Sequence, residues 1–163
     1  MSEKETASLV DIRILDGLSA STLQALEKAC TWRRYSDHEQ IIDRQSDSTD
    51  VFFVVDGHVR IVNYSLSGKE ITLEDLESGS HFGELSALDG QPRSASVMSL
   101  DSCLIAALPQ ERFMSLLREN SEIAFRVLRA LAGVVRNSTD RIMDLSTLAA
   151  NNRVQADLLR QAR

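Results

Sequence analysis

The sequence has few of the residues that build disulfide frameworks and thiolate metal sites. Its 163 residues include only two cysteines, Cys30 and Cys103, and these form no CxxC pair. This scarcity argues against a zinc ribbon, a cysteine-held iron–sulfur cluster and a thiol-redox motif. We therefore predict that both cysteines are buried free thiols.

Long apolar segments are also lacking. The longest uninterrupted apolar run extends from Cys103 to Leu108, far short of the roughly 20 residues that a membrane span requires. The first residues, MSEKETAS, contain no apolar segment behind a basic one, which a secretory signal would have. We expect a cytoplasmic protein that contacts no membrane.

Groupings of catalytic residues are lacking as well. The three histidines, His38, His58 and His81, are scattered along the chain. No grouping of serine, histidine and acid, and no metal-ligand spacing, can be assembled around them. We expect neither an enzyme nor a metal-binding protein.

The net charge of −6 is distributed unevenly. Residues 1–125 carry 11 basic and 21 acidic side chains, whereas residues 126–163 carry 7 and 3. Because the acidic part repels phosphates, a nucleic acid would have to be contacted by the C-terminal part or by something beyond it. The simpler interpretation is that the C-terminal arginines form the solvated face of a helix. These arginines are Arg126, Arg129, Arg136 and Arg141.

What the sequence does contain is a change of periodicity near residue 31. Before it, an amphipathic helix is predicted after Leu18, with a capping box formed by Ser21 and Gln24. From Thr31 to Leu108, brief runs rich in Val, Ile, Phe and Thr alternate with turn residues. Five of the seven glycines lie in this stretch: Gly57, Gly68, Gly79, Gly83 and Gly90. The pattern predicts an α+β fold, an antiparallel, jelly-roll-like β-roll with short N-terminal helices.

Helical periodicity returns at the end of the chain. Pro109 ends the last strand and opens a helix that stops near Asn120. A longer helix follows, in which residues recur at alternating spacings of three and four, the heptad seam of a two-stranded coiled coil. The seam positions are Leu128, Leu131, Val135, Ser138, Ile142, Leu145 and Ala149. We predict a parallel homodimer through residues 122–149.

These patterns divide the chain into three predicted segments. Residues 1–121 form the β-roll with its flanking helices, and residues 122–150 form the dimerisation helix. Asn151 and Asn152 break the seam, so residues 151–163 are expected to form a hinge and the start of another helix. No Gly, Asn or Pro stop signal follows, and we therefore expect the sequence to be cut rather than finished.

The segment 81–97, HFGELSALDGQPRSASV, combines features that suit a small phosphorylated ligand. Gly83 lets the backbone approach a ligand closely. A short helical turn from Glu84 to Leu88 offers free N–H groups. The turn from Gly90 to Pro92 then presents Arg93.

The charged side chains of this segment divide naturally between phosphate and hydroxyl groups. Arg93 can hold two phosphate oxygens, while N–H groups near Ser94 and Ala95 and the Ser94 hydroxyl complete that shell. Glu84 cannot accept a phosphate but suits a ligand hydroxyl, as an acidic side chain does for ribose in dinucleotide sites. If the pair stood alone, a structural salt bridge between Glu84 and Arg93 would be the default interpretation.

The same segment resembles the phosphate-binding cassette of cyclic nucleotide-binding domains over its whole length. The shared pattern is FGE, then a short apolar helix, then PR followed by a small residue and an alanine. The resemblance implies that Glu84 binds the ribose 2′-hydroxyl and Arg93 the cyclic phosphate, without chemical turnover. The ligand-binding residues implied in the cassette are Gly83, Glu84, Leu85, Ser86, Arg93, Ser94 and Ala95, with Gly83 making a backbone contact to the sugar.

Within that superfamily, the chain is most similar to bacterial transcription regulators of the cyclic-AMP receptor, or catabolite activator, type. The segment VVRNSTDRIMDL resembles the part of their dimer helix where two adjacent hydroxyl residues meet the purine. The resemblance implies that Ser138 faces the ligand of its own subunit and Thr139 that of the other. Ser138 is also the one polar residue of the seam. Val134 stands where that family has an arginine, a departure from its ligand network.

The resemblance implies the sensing half of a dimeric regulator that binds cyclic AMP, with cyclic GMP also possible. Ligand would shift the arrangement of the dimer helices, and DNA would be contacted only through a downstream domain that is not in this chain. One alternative is a stand-alone regulatory subunit acting on a protein partner. Another is a sensor of haem or a different effector, because relatives of this fold sense gases; His81 would then be the candidate haem ligand.

Overall fold

The computed structural model describes residues 7–161, apart from the side chains of several residues after Asn152. They form two compact units, one ending at Ile123 and the other starting at Ala124. The last two residues of the predicted hinge segment lie outside the described part. No helix in the described part is long and apolar enough to cross a membrane.

The first unit is built on strands that pair in antiparallel fashion. Eight are described: β1 (Thr31–Tyr35), β2 (Gln40–Ile42), β3 (Val51–Asp56), β4 (His58–Tyr64), β5 (Glu70–Glu77), β6 (His81–Phe82), β7 (Ser96–Ser99) and β8 (Cys103–Leu108). They form two four-stranded sheets with the orders β1-β8-β3-β6 and β2-β7-β4-β5. The predicted antiparallel β-roll is confirmed.

Along the chain, helices precede, interrupt and follow the strands. They are a 3₁₀ turn (Arg13–Leu15), α1 (Ala20–Ala29), α2 (Glu84–Asp89), α3 (Gln110–Glu119) and α4 (Ser121–Gln161). Pro109 precedes α3 and Asn120 follows it, as predicted. The start of α1 was predicted wrongly, because Ser19 rather than Ser21 is its N-cap. Ser19 has the extended backbone of an N-cap, and its hydroxyl accepts the Thr22 N–H at 3.2 Å.

Both sheets contribute to one hydrophobic core. Its buried members come from all strands except β5: Tyr35, Ile42, Phe52, Val54, Val59, Phe82, Val97, Cys103 and Ile105. Strand β3 is apolar on both faces because Val51 to Val54 are all buried. The runs that form β2, β3, β4, β7 and β8 were predicted as strands from their apolar residues, whereas β1 and β6 were not.

The predicted helix break at Asn151 and Asn152 is wrong, because α4 continues through both residues. Asparagine costs only a fraction of a kcal/mol, roughly 0.7 at most, relative to alanine in a helix. Unlike proline, it keeps the backbone N–H that the helix needs. Two exposed asparagines therefore interrupt the apolar pattern without ending the helix. The predicted division into three segments stays a prediction.

A histidine–aspartate pair fastens the turn after β3 to the turn before β8. The Asp101 carboxylate accepts the His58 backbone N–H at 2.8 Å and lies 2.7 Å from His58 Nδ1. Gly57 makes this approach possible, since a Cβ atom there would lie 2.7 Å from Asp101 Oδ1 and φ is +85°. The hydrogen bond to Asp101 raises the pKa of His58 above its ordinary value and lowers that of Asp101.

We expect His58→Asn to remove a stabilising contact that depends on pH. Because the pKa of His58 is raised, this contact is complete below the ordinary pKa of 6.5 and is lost as the pH rises through the folded-state value. The difference in melting temperature between parent and variant should therefore shrink from about pH 6 to about pH 8. Asp101 does not interfere in this window, because its stabilising contribution is lost only as the pH falls below its ordinary 3.8.

The control for this measurement is His58→Asn in an Asp101→Asn background, where the difference in melting temperature should no longer depend on pH. If the difference in melting temperature between the parent and His58→Asn stays constant over this pH range, His58 does not make a pH-dependent stabilising contact with Asp101.

Candidate ligand-binding site

The cassette begins at Gly83, where any side chain would force neighbouring atoms to move. Gly83 has a φ of +82° and forms the N-terminal cap of α2. A Cβ atom at this position would lie 2.7 Å from Arg93 Nη1 and 3.1 Å from the Asp50 carbonyl oxygen. The backbone at Gly83 is therefore in direct contact with the arginine that the sequence singled out.

Arg93 is buried, with only 3% of its surface exposed, and its guanidinium is held by three neutral acceptors. Nη1 donates to the Gly83 carbonyl at 2.8 Å and Nη2 to the Asp50 carbonyl at 2.7 Å. Nε donates to the Ser48 hydroxyl at 3.0 Å. The guanidinium also lies 5.4 Å from the centre of the Phe52 ring, within the range of a cation–π contact.

Among the described residues, no carboxylate forms an ion pair with Arg93. The alternative of a structural Glu84–Arg93 salt bridge is therefore not what the structure contains. Burial lowers the pKa of Arg93, and the more distant charges of Asp50 and Glu84 only partly oppose this effect. Since arginine stays protonated in proteins, the result is a buried cation without a counter-ion.

The loop between β2 and β3 is attached to the cassette through its main chain. Gln45 N–H donates to the Arg93 carbonyl at 2.9 Å, and Arg93 N–H donates to the Ser46 carbonyl at 3.1 Å. This loop supplies Ser48 and Asp50 to the guanidinium, and the sequence analysis missed both. Backbone acceptors leave no signal in a sequence, and a single serine in the polar stretch DRQSDSTD leaves very little.

The residues after Arg93 contact strand β4. Ser94 is exposed and Ala95 half-buried. The Asn63 side-chain amide on β4 donates to the Ser94 carbonyl at 3.3 Å. Asn63 Oδ1 is the one buried side-chain polar atom without a hydrogen-bond partner that is recorded in the described part. Sequence reasoning did not point to Asn63, which lies in an otherwise ordinary strand pattern.

Helix α2 carries the remaining predicted cassette residues. Glu84 begins the helix and is half-buried, Leu85 is 42% exposed, and Ser86 is buried. The Gln110 side-chain amide of α3 donates to the Ala87 carbonyl at 2.8 Å, which fixes α2 against the neighbouring helix. The structure thus brings Gly83 to Arg93, while the ligand roles of the cassette residues stay predictions.

The two predicted purine contacts lie on α4, in the second unit. Ser138 and Thr139 are both exposed on the helix surface. The Thr139 hydroxyl donates to the Val135 carbonyl one turn earlier, at 3.0 Å. Their roles toward a ligand also stay predictions.

Both cysteines are free thiols as predicted, but only Cys103 is buried, whereas Cys30 is half-buried. Burial lowers the pKa of the half-buried His81, the charge of Glu84 raises it, and the charge of Arg13 lowers it further. Burial raises the pKa of Cys30 to about 12 and that of Cys103 to about 11, so both thiols are protonated at neutral pH. No group of three or more His, Cys, Asp or Glu that could hold a metal ion occurs in the described part.

An antiparallel roll that carries a buried arginine on a glycine-bounded cassette is characteristic of one class of sensory domain. The model of the cyclic nucleotide-binding domain family matches residues 32–120, more than half of the chain. The chain belongs to this family. The resemblance that the cassette indicated is thereby confirmed.

The matched relatives are regulators of the cyclic-AMP receptor type, which is a narrower group within the same family. The chain is 28% identical over 135 residues to the cAMP-activated global transcriptional regulator CRP of Haemophilus influenzae, a match that covers 82% of this chain and 60% of the relative. It is 31% identical over 141 residues to the cAMP-activated global transcriptional regulator Vfr of Pseudomonas aeruginosa, covering 84% and 66%. The chain therefore spans between 60% and 66% of the length of these curated relatives.

A solved structure supports the same assignment. The catabolite activator protein of Thermus thermophilus is similar with a TM-score of 0.72 and 28% identity. The similarity covers 82% of this chain and 62% of that one.

We expect Gly83→Ala to destabilise the protein more than Gly90→Ala. Both glycines have a positive φ, so each substitution carries a backbone cost of about 1 kcal/mol or slightly more. Only at Gly83 does the new methyl group also overlap neighbouring atoms, whereas nothing lies within 4 Å of a Cβ at Gly90. The overlap should add about 1 to 3 kcal/mol. Chemical denaturation measures both variants, and equal losses would show that the cassette tolerates a Cβ at Gly83.

Proposed function

We propose that this chain senses a cyclic purine mononucleotide, whose cyclic phosphate is bound by Arg93. The observation that carries the proposal is the buried guanidinium without a carboxylate partner. A guanidinium has five N–H donors, and three of those on Arg93 are engaged by Ser48, Asp50 and Gly83. Two donors remain, the number that a bidentate contact with a phosphate needs.

The other cassette residues fit the rest of such a ligand by their chemistry. Glu84 is the acceptor for the ribose 2′-hydroxyl, and the Gly83 backbone contacts the sugar. Ser94 and Ala95 supply further phosphate contacts through their N–H groups and the Ser94 hydroxyl. Leu85 and Ser86 belong to the same ligand-binding segment. Because Arg93 is almost fully covered, we expect the ligand to shift the cassette as it enters.

We further propose that the chain forms a parallel homodimer through residues 122–149. Four apolar side chains of the seam are between 58% and 67% exposed in the single chain: Leu128, Val135, Ile142 and Leu145. Pairing with a second copy of α4 would remove this surface from water. Ser138 would then contact the purine of its own subunit and Thr139 that of the partner.

The curated relatives are named as cAMP-activated transcriptional regulators, which favours cyclic AMP and the sensing half of a bacterial transcription regulator. Any contact with DNA would be made outside the cyclic nucleotide-binding domain. Cyclic GMP remains open because Val134 replaces an arginine of the family, and hydroxyls such as those of Ser138 and Thr139 discriminate poorly between purines. Differential contacts with the ligand would select one arrangement of the α4 pair.

Replacing Arg93 with alanine tests the proposed phosphate contact. The substitution removes a charge-assisted contact worth about 1.5 to 3 kcal/mol, so affinity for cyclic AMP and cyclic GMP should fall by about ten-fold to more than a hundred-fold. Arg60→Ala is the matched control, because Arg60 is already paired with Asp75 at 2.7 Å across two strands. Isothermal calorimetry gives both affinities. If Arg93→Ala binds the nucleotides as tightly as the parent, the cassette assignment is wrong.

Placing charges in the seam tests the proposed dimer. Leu131→Asp combined with Leu145→Asp should give monomers, because a carboxylate in an apolar interface loses its hydration. Ala130→Asp combined with Thr147→Asp places the same charges at exposed positions of α4 outside the seam and should leave the dimer intact. Light scattering gives the mass of each. A parent chain that is monomeric at tens of micromolar, or a control pair that also dissociates, would refute the seam.

A further inference from the structure

We propose that Ser48, in the loop between β2 and β3, is a positioning residue that orients Arg93 for the phosphate. This inference rests on the proposed function and extends it to a residue outside the cassette. Ser48 lies 45 positions before Arg93, and its hydroxyl accepts the Nε–H of the guanidinium at 3.0 Å.

The three acceptors around Arg93 together fix the plane of the guanidinium. Each of its three nitrogens donates to a different acceptor, so rotation about the bond to Nε breaks at least one hydrogen bond. Two of the acceptors, on Gly83 and Asp50, are main-chain carbonyls. Ser48 Oγ is the only side-chain acceptor of Arg93 in the described part. It is therefore the one acceptor of the three that an amino-acid substitution can remove.

Removing the Ser48 hydroxyl should leave the loop in place. The loop is attached to the cassette by the two main-chain hydrogen bonds that join Gln45 and Ser46 to Arg93. Ser48 itself is exposed, so Ser48→Ala creates no buried cavity. The expected consequence is a guanidinium with more rotational freedom inside an otherwise unchanged site. A bound phosphate would then have to restrict that freedom, which weakens binding.

The experiment compares Ser48→Ala, Ser48→Thr and the control Ser102→Ala with the parent chain by isothermal calorimetry. Ser48→Ala should weaken cyclic AMP and cyclic GMP by the same factor, about three- to ten-fold, because the phosphate is common to both ligands. Ser48→Thr keeps the hydroxyl and should restore near-parent affinity. Ser102→Ala removes the hydroxyl of an exposed serine in the turn before β8 and should have no effect.

A second measurement detects the hydrogen bond between Arg93 Nε–H and Ser48 Oγ in the absence of any ligand. In nitrogen-15 NMR spectra, the Arg93 Nε–H of the parent should exchange slowly with water, since it is hydrogen-bonded in a buried site. Ser48→Ala should accelerate this exchange, whereas the control Ser102→Ala should not. A merely structural role of Ser48 would change the melting temperature without changing this one resonance selectively.

Two results would overturn the inference: unchanged affinity and exchange in Ser48→Ala, or a loss of affinity for only one of the two nucleotides. The second result would mean that Ser48 acts on the base rather than through Arg93. A parent chain that binds neither nucleotide contradicts the proposed function itself. The exchange rate of the Arg93 Nε–H then still decides whether Ser48 holds the guanidinium.

Discussion

The burial of the Arg93 charge is the constraint on which the surrounding structure depends. A cation removed from water needs acceptors for its N–H groups, and an unpaired one is strongly destabilising. Here the acceptors come from two distant stretches of chain, the loop before β3 and the junction between β6 and α2. Glycine at position 83 follows from the same requirement, because a side chain would occupy the space of the guanidinium.

The order of the strands brings these acceptors together. Strand β3 lies between β8 and β6, and Phe52 pairs with Phe82 in the register of β3 and β6. Their rings stack with centres 5.1 Å apart and planes within 6°. Asp50 precedes β3 and Gly83 follows β6, so this pairing helps to bring both carbonyls within hydrogen-bond distance of Arg93. The aromatic pair thus links the core of the roll to the geometry of the site.

The sequence predicted the parts of the molecule that leave a side-chain signal. The apolar runs of β3, β4 and β8, the glycines and the cassette all do so. Strand β1 was not recognised because Arg33 and Arg34 interrupt its apolar pattern. In the structure, Arg33 forms an ion pair with Glu39 at 2.7 Å and lies over the Tyr35 ring, so its charge is accommodated within the strand. Strand β6 has only two residues. The acceptors of Arg93 were missed for a related reason, because main-chain carbonyls are common to all residues.

The charge distribution acts on a phosphate differently at long range, around the whole β-roll, and at short range, beside Arg93. Residues 1–125 carry 21 acidic and 11 basic side chains, so the field around the β-roll repels an anion at long range. Attraction for a phosphate therefore has to arise at short range, where a desolvated guanidinium is screened little by salt. In the proposed function, an anion gains the contact with Arg93 only if it also fits Glu84 and the rest of the cassette, and this combination would make the site selective within an acidic protein.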